Sequence, residues 1–322
     1  MYGVGPFVSY ETINWMCLSG PVIFLLSCLW IPESPYYHLR NDNLEEAGKT
    51  MMKLKGLKNT KTIDEHLHQL QMQVQKDMKK KTTFKELLTK KEYRKGVIAM
   101  FGLKVLQQLT GTLAIQAYLE TIFRATSMTI SGPTASIIYG VIQFLAGFVA
   151  TVLVDKMGRK PLLLISSLGT GISLTAVGVY FYMQDVIKAD QATMEAVSLL
   201  PIIGIIGFNV LFAIGIGNLT YVLQSELFPT NVKSVASSFF TIIGASLAFF
   251  VAKMYQGLVD EIGVHSVFWM FAFVGYSGVF FVYFYVPETK GKSLEEIILK
   301  LNRAKGEKSN KNEAALMDEI KV

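Results

Sequence analysis

The sequence is poor in charge and in cysteine. Only 17% of its 322 residues are charged, whereas soluble domains usually carry about 25%. Its two cysteines, Cys17 and Cys28, lie in one apolar run and are too far apart along a single helix to form a disulfide. No cluster of cysteine or histidine has the spacing of metal ligands. We therefore expect no metal and no cofactor, and the pattern does not imply an enzyme.

The chain also lacks the signature of a nucleic-acid-binding protein. Its formal net charge is +6, but the cations flank apolar runs, where they set the orientation of membrane spans. No patch interleaves aromatic with basic residues, so no nucleic-acid partner is expected. The N-terminus has no basic segment followed by a cleavable apolar core, and a signal peptide is not expected either.

What the sequence does have is seven apolar runs of bilayer length. About 18–25 apolar residues at 1.5 Å each cross a hydrocarbon core about 30 Å thick, so each run predicts a transmembrane helix in a lipid bilayer. The sequence therefore predicts an all-α, polytopic membrane helix bundle. The runs are Asn14–Ile31, Gly96–Tyr118, Gly132–Val154, Leu162–Met183, Leu199–Tyr221, Ser234–Tyr255 and Val264–Val286.

The distribution of cations predicts how these spans are oriented. Between residues 40 and 95, Lys and Arg outnumber Asp and Glu by nearly two to one, which places this loop in the cytoplasm. The turns Asp155–Lys160 and Glu226–Lys233 then fall on the same side, as does the tail from Pro287. The N-terminus falls outside, and Met1–Tyr10 reads like the last turns of an earlier helix, so we expect a truncated chain.

The two cytoplasmic turns predict a charge network. Asp155 and Glu226 each close a span, where the negative end of the helix dipole disfavours an acid by about 0.3–1 kcal/mol. Arg159 and Lys233 stand near the start of the following helices, where a base is also misplaced. These mismatches predict that acids of one turn pair with bases of the other. Gly158, which lies in the first turn, permits the chain to turn tightly there. The alternative is ordinary topology charge at loop ends.

Glutamines within the spans predict a polar interior. Gln107, Gln108 and Gln116 lie in one span and Gln143 in the next. An amide in hydrocarbon needs partners, so these side chains should face a wet cavity or other protein groups. Amides both donate to and accept from hydroxyls, which suits a neutral polyol; the alternative is contact between helices. For the glycine-rich span Gly204–Gly217, close packing and a broken helix both stay open.

Five motifs, in this order, resemble the sugar porter family of the major facilitator superfamily. Each motif alone is weak, but all five at these separations are specific. Within the family, the chain is most similar to the insect facilitated trehalose transporters. The motifs are Pro32-Glu33-Ser34-Pro35, Gln107-Gln108-Leu109-Thr110-Gly111, Asp155-Lys156-Met157-Gly158-Arg159-Lys160, Ser225-Glu226-Leu227-Phe228-Pro229 and Pro287-Glu288-Thr289-Lys290-Gly291.

The resemblance implies a fold and a domain organisation. The family folds as two six-helix bundles around a central sugar site that opens alternately to each side of the membrane. On that pattern the chain is a partial major facilitator superfamily fold with about seven transmembrane helices. Residues 1–39 are the remnant of the N-terminal bundle, 40–95 the cytoplasmic central loop with short surface helices, 96–286 the C-terminal six-helix bundle, and 287–322 a cytoplasmic tail.

The resemblance also implies roles for individual residues. Gln107, Gln108 and Gln143 would hydrogen-bond a sugar, and Tyr221 stands where many members have a tryptophan that stacks on the sugar ring. A cytoplasmic gating network would contain the pairs Asp155–Arg159 and Glu226–Lys233, together with Glu33 and Gly158.

Several positions depart from the family pattern: Tyr36 replaces an arginine, Gly217-Asn218-Leu219-Thr220-Tyr221 replaces a Gly-Pro-x-Pro-Trp segment, and two further positions lose an asparagine. Leu113 and Gly244 stand where the family has asparagines that contact sugar. Each lost amide removes hydrogen bonds of about 0.5–1.5 kcal/mol. The sequence therefore predicts a small-molecule sugar substrate, trehalose or a hexose, without deciding between them.

The preferred functional hypothesis is facilitated diffusion of a sugar by alternating access, in the plasma membrane, with the C-terminus in the cytoplasm. No acid within the spans is evident that could carry a coupled proton, which favours passive transport over symport. One alternative is a non-transporting half-transporter or regulatory membrane protein. A second is a seven-span receptor, which the long first cytoplasmic loop and the lack of a cysteine pair for the outer loops disfavour. The oligomeric state stays open.

Overall fold

A computed structural model of the chain describes residues 8–55, 67–68, 70–72, 74, 84–124, 132–228 and 230–291. Across these ranges the regular structure is helical and contains no strand, which confirms the predicted all-α class. The helices are α1 (Tyr10–Cys28), α2 (Pro35–Arg40), α3 (Leu44–Lys55), α4 (Phe84–Thr89), α5 (Lys91–Leu109), α6 (Thr112–Ala117), α7 (Leu119–Arg124), α8 (Gly132–Met157), α9 (Arg159–Tyr182), α10 (Gln191–Ala196), α11 (Leu200–Phe212), α12 (Asn218–Glu226), α13 (Thr230–Ile262) and α14 (Val264–Tyr285), with π-helical turns at Met183–Ile187 and Ala213–Gly217.

Seven stretches in the described part of the chain are long and apolar enough to cross a membrane. Each overlaps one of the seven predicted runs, so the predicted number and order of spans are confirmed. Several are longer than predicted, because polar residues at helix ends extend a helix without lowering the hydropathy of its centre. The stretches are Tyr10–Cys28, Tyr93–Ala117, Ile137–Val154, Arg159–Ile187, Gln191–Glu226, Val232–Ile262 and Val264–Tyr285.

The chain divides into two compact units, formed mainly by Gly3–Thr83 and by Phe84–Pro229 with Lys233–Val322. In the first unit, α1 has no buried residue, as expected for an apolar helix surrounded by lipid. α2 and α3 instead carry buried apolar side chains, which cluster with those of residues further along the unit: Leu39, Ala47, Leu67 and Val74. The three predicted domain boundaries, 39/40, 95/96 and 286/287, stay predictions.

Helix α9 lies at the centre of the second unit and packs against both α11 and α14. Small residues permit the close approach: a Cβ added to Gly275 on α14 would lie 3.0 Å from the backbone nitrogen of Gly171 on α9, and one added to Gly215 would clash with Ser166. Large buried rings fill the rest of the core, Tyr180, Phe181, Phe208 and Phe268 among them. The second unit is thus held together by backbone-to-backbone contact and aromatic packing.

The glycine-rich span Gly204–Gly217 shows both close packing and a broken helix, the two alternatives that the sequence left open. Three of its glycines, Gly204, Gly207 and Gly215, lie against α9, and the helix is also interrupted by the π-helical turn Ala213–Gly217. In that turn the Ile216 backbone N–H donates to Ser166 Oγ at 3.0 Å. A polar side chain of the neighbouring helix therefore satisfies the irregular backbone, as a membrane interior requires.

Candidate functional site

The second unit contains a polar cavity of about 420 Å³, within the range of about 300–1,000 Å³ that small-molecule sites occupy. All four residues predicted to contact a ligand, Gln107, Gln108, Gln143 and Tyr221, line it. The full lining is Lys104, Gln107, Gln108, Thr112, Leu113, Gln116, Gln143, Asn209, Phe212, Ala213, Gly217, Asn218, Tyr221, Thr241, Gly244, Ala245 and Ala248.

Local breaks in the helices bring these side chains to one place. α5 presents Gln107 and Gln108 and ends at Leu109, and Gly111 then turns the chain with φ of 77° into α6, which carries Gln116. Only glycine fits Gly111, because the positive φ is strained for other residues and a Cβ would clash with the Phe271 ring. On the opposite wall, the π-helical turn ends immediately before α12, which carries Tyr221.

The glutamines divide into one that is engaged and three that are free. Gln107 is 3% exposed and its Nε2 donates to the carbonyl oxygen of Gly217 at 2.9 Å. Gln108, Gln116 and Gln143 are half-buried on the cavity wall and have no hydrogen-bond partner among the residues that the structure describes. Three amides are therefore available to a ligand, while Gln107 joins α5 to the irregular backbone opposite.

Lys104 is the cavity residue that sequence reasoning missed. Its side chain is 1% exposed, and its Nζ lies 4.0 Å from the centroid of the Tyr221 ring and 3.4 Å from Gln107 Oε1. No acid is found among the described residues that line the cavity. The signal was present in the sequence, because an ionisable residue inside an apolar span is by default a functional candidate.

The two positions at which a family asparagine is replaced, Leu113 and Gly244, also line the cavity. Leu113 is 40% exposed and contributes an apolar surface in place of an amide. A Cβ added to Gly244 would lie 3.4 Å from Lys104 Cδ. The stem of Lys104 therefore lies beside the space that a larger side chain at position 244 would enter.

A second polar site of this unit lies where the turn between α8 and α9, the end of α12 and the segment after α14 meet. Its residues are Arg159, Glu226, Glu288 and Thr289, and we call them the Arg159 cluster. Arg159 Nη2 lies 2.8 Å from Glu226 Oε1, and Arg159 Nε donates to the same oxygen at 3.2 Å. Thr289 Oγ1 donates to the other oxygen, Glu226 Oε2, at 2.6 Å. The side chains of Arg159 and Glu226 are only 15% and 26% exposed, so this is a largely buried, charge-assisted pair.

Glu288 caps the N-terminus of α9 from a distant part of the chain. Its two carboxylate oxygens accept from the backbone N–H groups of Arg159 and Lys160, at 3.1 and 3.0 Å. Burial raises the pKa of Glu288, but the backbone N–H groups of Lys290, Arg159 and Lys160 outweigh it and hold the pKa below its ordinary value. Sequence reasoning quoted Glu288 as part of a motif but assigned it no role.

Gly158 is required by this arrangement. Its φ is 91°, a region that favours glycine, and a Cβ there would lie 3.0 Å from Glu288 Oε2. The tight turn predicted at Gly158 is present, and its second purpose is to make room for the carboxylate that caps the helix.

The predicted pairing of Glu226 with Lys233 needs correction. Glu226 pairs with Arg159, from another turn, whereas Lys233 is exposed one turn into α13 and has no ion pair in the described part of the chain. An acid at a helix C-terminus is best compensated by a cation that is also shielded from solvent, and Arg159 is. The side chain of Asp155 lies outside the described residues. Glu33 is exposed in the first unit, and its place in the network stays a prediction.

Comparisons with known proteins agree with this architecture. The model of the family described as sugar (and other) transporter matches residues 2–300. The facilitated trehalose transporter Tret1 of Bombyx mori is 35% identical over 299 residues, which are 92% of this chain and 58% of that protein. Its counterpart from Drosophila virilis is 33% identical over 299 residues, 92% of this chain and 32% of that protein. The chain thus spans less than two thirds of the length of these relatives.

Solved structures show the same fold. The proton:xylose symporter XylE bound to 6-bromo-6-deoxy-D-glucose matches with a TM-score of 0.70 at 23% identity, over 94% of this chain and 62% of that one. The inward-open xylose transporter XylE from E. coli matches with a TM-score of 0.65 at 25% identity, over 92% and 60%. These neighbours confirm a major facilitator superfamily helix bundle. With its seven apolar spans and the match of the family model along most of its length, the chain is a multi-pass membrane protein that belongs to the sugar (and other) transporter family.

Proposed function

We propose that this chain provides the sugar-binding bundle of a facilitative transporter. The observation that carries the proposal is the convergence of Gln107, Gln108, Gln143 and Tyr221, from three spans separated along the chain, on one cavity of about 420 Å³. The names of the relatives, facilitated trehalose transporters, support a neutral disaccharide or a hexose as cargo.

Each cavity residue has a role that follows from its chemistry. The free amides of Gln108, Gln116 and Gln143 donate to and accept from sugar hydroxyls. Tyr221 is 56% exposed and offers an aromatic ring to the apolar face of a sugar. Gln107, already bonded to Gly217, positions the wall and adds one acceptor.

Passive transport needs only two open states, one facing each side of the membrane, and a bound sugar that shifts their populations. The absence of an acid among the described lining residues supports passive flow over proton coupling, because no carboxyl group is at hand to take up a proton. The Arg159 cluster then serves as a cytoplasmic latch whose opening accompanies the change of access. This assigns Arg159, Glu226 and Gly158 to the gate, with Asp155, Glu33 and Lys233 as its predicted neighbours.

The proposal includes the orientation and the compartment. The cation-rich segment 40–95 and the turn at Gly158 face the cytoplasm, as does the C-terminus, and the membrane is the plasma membrane. The domain division at 1–39, 40–95, 96–286 and 287–322 accompanies this orientation. An epitope at the C-terminus should be stained only after the cells are permeabilised, and staining of intact cells would contradict it.

Equilibrium binding to the purified chain in lipid nanodiscs tests the cavity. Labelled trehalose and glucose should bind, and Gln108→Ala or Gln143→Ala should weaken binding by about twofold to tenfold, the effect of one hydrogen bond. Gln256→Ala is the matched control, because Gln256 is exposed on α13 and, among the residues that the structure describes, bonds only Asp260. Binding that is unaffected by the cavity variants, or absent, would overturn the proposal.

Uptake into cells that express the chain separates transport from binding alone. Uptake of labelled sugar that saturates and that Gln108→Ala reduces supports the transporter. Binding to the purified chain without any uptake would instead favour a non-transporting sugar-binding membrane protein.

A further inference from the structure

The least explained group in the molecule is the ammonium of Lys104. It is 1% exposed in a membrane-spanning helix and lines the cavity. A charged side chain at such a position is costly unless a partner of opposite charge meets it. The cavity contributes no such partner from any of the residues that the structure describes.

The contacts that Lys104 does make are weak ones. Gln107 Oε1 lies at the long distance of 3.4 Å and carries no net charge, and the Tyr221 ring offers only its π face at 4.0 Å. An ammonium has three N–H donors, so at least one is left for a ligand. Arg159 in the same unit, by contrast, has a carboxylate at 2.8 Å.

The surroundings of Lys104 supply the rest of a specificity pocket. Gln108 and Gln143 present free amides on the same cavity, suited to hydroxyl groups. Gly244 leaves open the space beside the Lys104 stem, since its added Cβ would lie 3.4 Å from Cδ. A ligand therefore meets one cation and several amides within about 420 Å³.

We propose that this cavity selects an acidic sugar, a polyhydroxylated monocarboxylate such as a hexuronate, whose carboxylate pairs with Lys104 while its hydroxyls bond the glutamine amides. The proposal rests on the proposed function, a sugar-binding cavity, and changes the expected cargo of that cavity from a neutral to an acidic sugar. The physical reason is that a carboxylate supplies the missing countercharge and accepts a charge-assisted hydrogen bond from Lys104. A neutral hydroxyl supplies no such charge.

The test is equilibrium binding of labelled D-glucuronate, D-glucuronamide and D-glucose to the purified full chain in nanodiscs of neutral lipid. Glucuronate and glucuronamide differ at one group, which is a carboxylate in the first and an uncharged amide of similar size in the second. We expect glucuronate to bind about tenfold to a hundredfold more tightly than either neutral sugar, the difference expected between a charged and a neutral hydrogen-bond partner. Equal affinities for glucuronate and glucuronamide would overturn the proposal without the need for any variant.

Variants then assign the preference to Lys104. Lys104→Gln should bring the affinities for glucuronate and glucuronamide to within about threefold of each other, while Lys104→Arg should keep most of the preference. Lys253→Gln is the matched control, because Lys253 is an exposed cation on α13 away from the cavity. A glucuronate preference that persists in Lys104→Gln would overturn the proposal.

The outcomes distinguish this proposal from the one on which it rests. Glucose binding that Gln108→Ala weakens, with no preference for glucuronate, retains the sugar site and rejects the acidic sugar. Failure of all three sugars to bind rejects both.

Discussion

The cavity and the Arg159 cluster are both polar sites within an apolar bundle, and they treat their polar groups in opposite ways. In the cluster, Arg159 and Glu226 have charged partners, and Glu288 takes up the backbone N–H groups of a helix end. In the cavity, three glutamine amides and the Lys104 ammonium are left without strong partners among the described residues. Buried polar groups cost free energy unless bonded. The cluster therefore satisfies its own polar groups, whereas the cavity leaves polar groups that a ligand could satisfy.

Breaking the ion pair of the cluster should give the largest loss of stability. Arg159→Ala leaves Glu226, 26% exposed, without its cation. We expect the free energy of unfolding to fall by about 2–4 kcal/mol, as for other largely buried pairs that lose one partner. Thermal unfolding in detergent measures the change, with Lys253→Ala as the control. A shift no larger than that of the control would show that the pair contributes nothing.

Adding a methyl group at Gly158 should have the next largest effect. Gly158→Ala strains a backbone with φ of 91° and moves the Glu288 carboxylate from its position 3.0 Å away. We expect a loss of about 1–3 kcal/mol in unfolding free energy. Gly147→Ala is the matched control, because its added Cβ meets no atom within 4 Å. Equal melting temperatures for the two variants would contradict the capping geometry.

The two adjacent glutamines sharpen the contrast between completed and open groups. Gln107→Ala removes the bond to Gly217 and should lower the unfolding free energy by about 1 kcal/mol. Gln108→Ala removes no bond found in the described part of the chain, so it should weaken sugar binding while leaving the melting temperature unchanged. The pair of variants is measured by unfolding and by equilibrium binding. A destabilised Gln108→Ala protein would show that its amide is structural.

The smallest effect is a pH dependence that comes from Glu288. Its folded-state pKa is held below the ordinary value of 4.5, so the carboxylate stabilises the folded state above that value, and the stabilisation is lost as pH falls through the folded pKa. The difference in melting temperature between the wild-type chain and Glu288→Gln should therefore be constant near neutral pH and shrink below pH 4.5. A difference that grows on acidification would show that the ionised Glu288 carboxylate does not stabilise the folded state.

Sequence reasoning was sufficient for the spans because hydropathy is a local property. Each apolar run carries its own tendency to leave water, and all seven were found with errors of up to eight residues at their ends. The same reasoning led to Gln107, Gln108 and Gln143, since an amide in hydrocarbon needs a wet or bonded surrounding. The same rule applies to Lys104, which was missed although a charged group in hydrocarbon needs a wet or bonded surrounding even more than an amide does.

Reasoning along the chain predicted that acids and bases pair between turns, but it did not predict which residues pair. Arg159 and Glu226 are 67 residues apart, and Arg159 and Glu288 are 129 apart. Helix dipoles indicated that each charge needed a partner, but they act within about one turn and carry no information on which distant group supplies it. Lys233, the nearest cation after Glu226 in the chain, was chosen on proximity, and the structure pairs Glu226 with Arg159 instead.

By itself, the sequence determined that this is an all-α membrane bundle, where its spans lie, and which amides face inward, because each of these follows from the transfer of single side chains between water and hydrocarbon. Only the tertiary structure decided that Gln107 is engaged while Gln108 is free, that Lys104 lies over Tyr221, and that Glu288 caps α9. Those outcomes depend on which atoms of distant helices come within about 3–4 Å of one another. Packing sets these distances, and the order of residues along one helix does not.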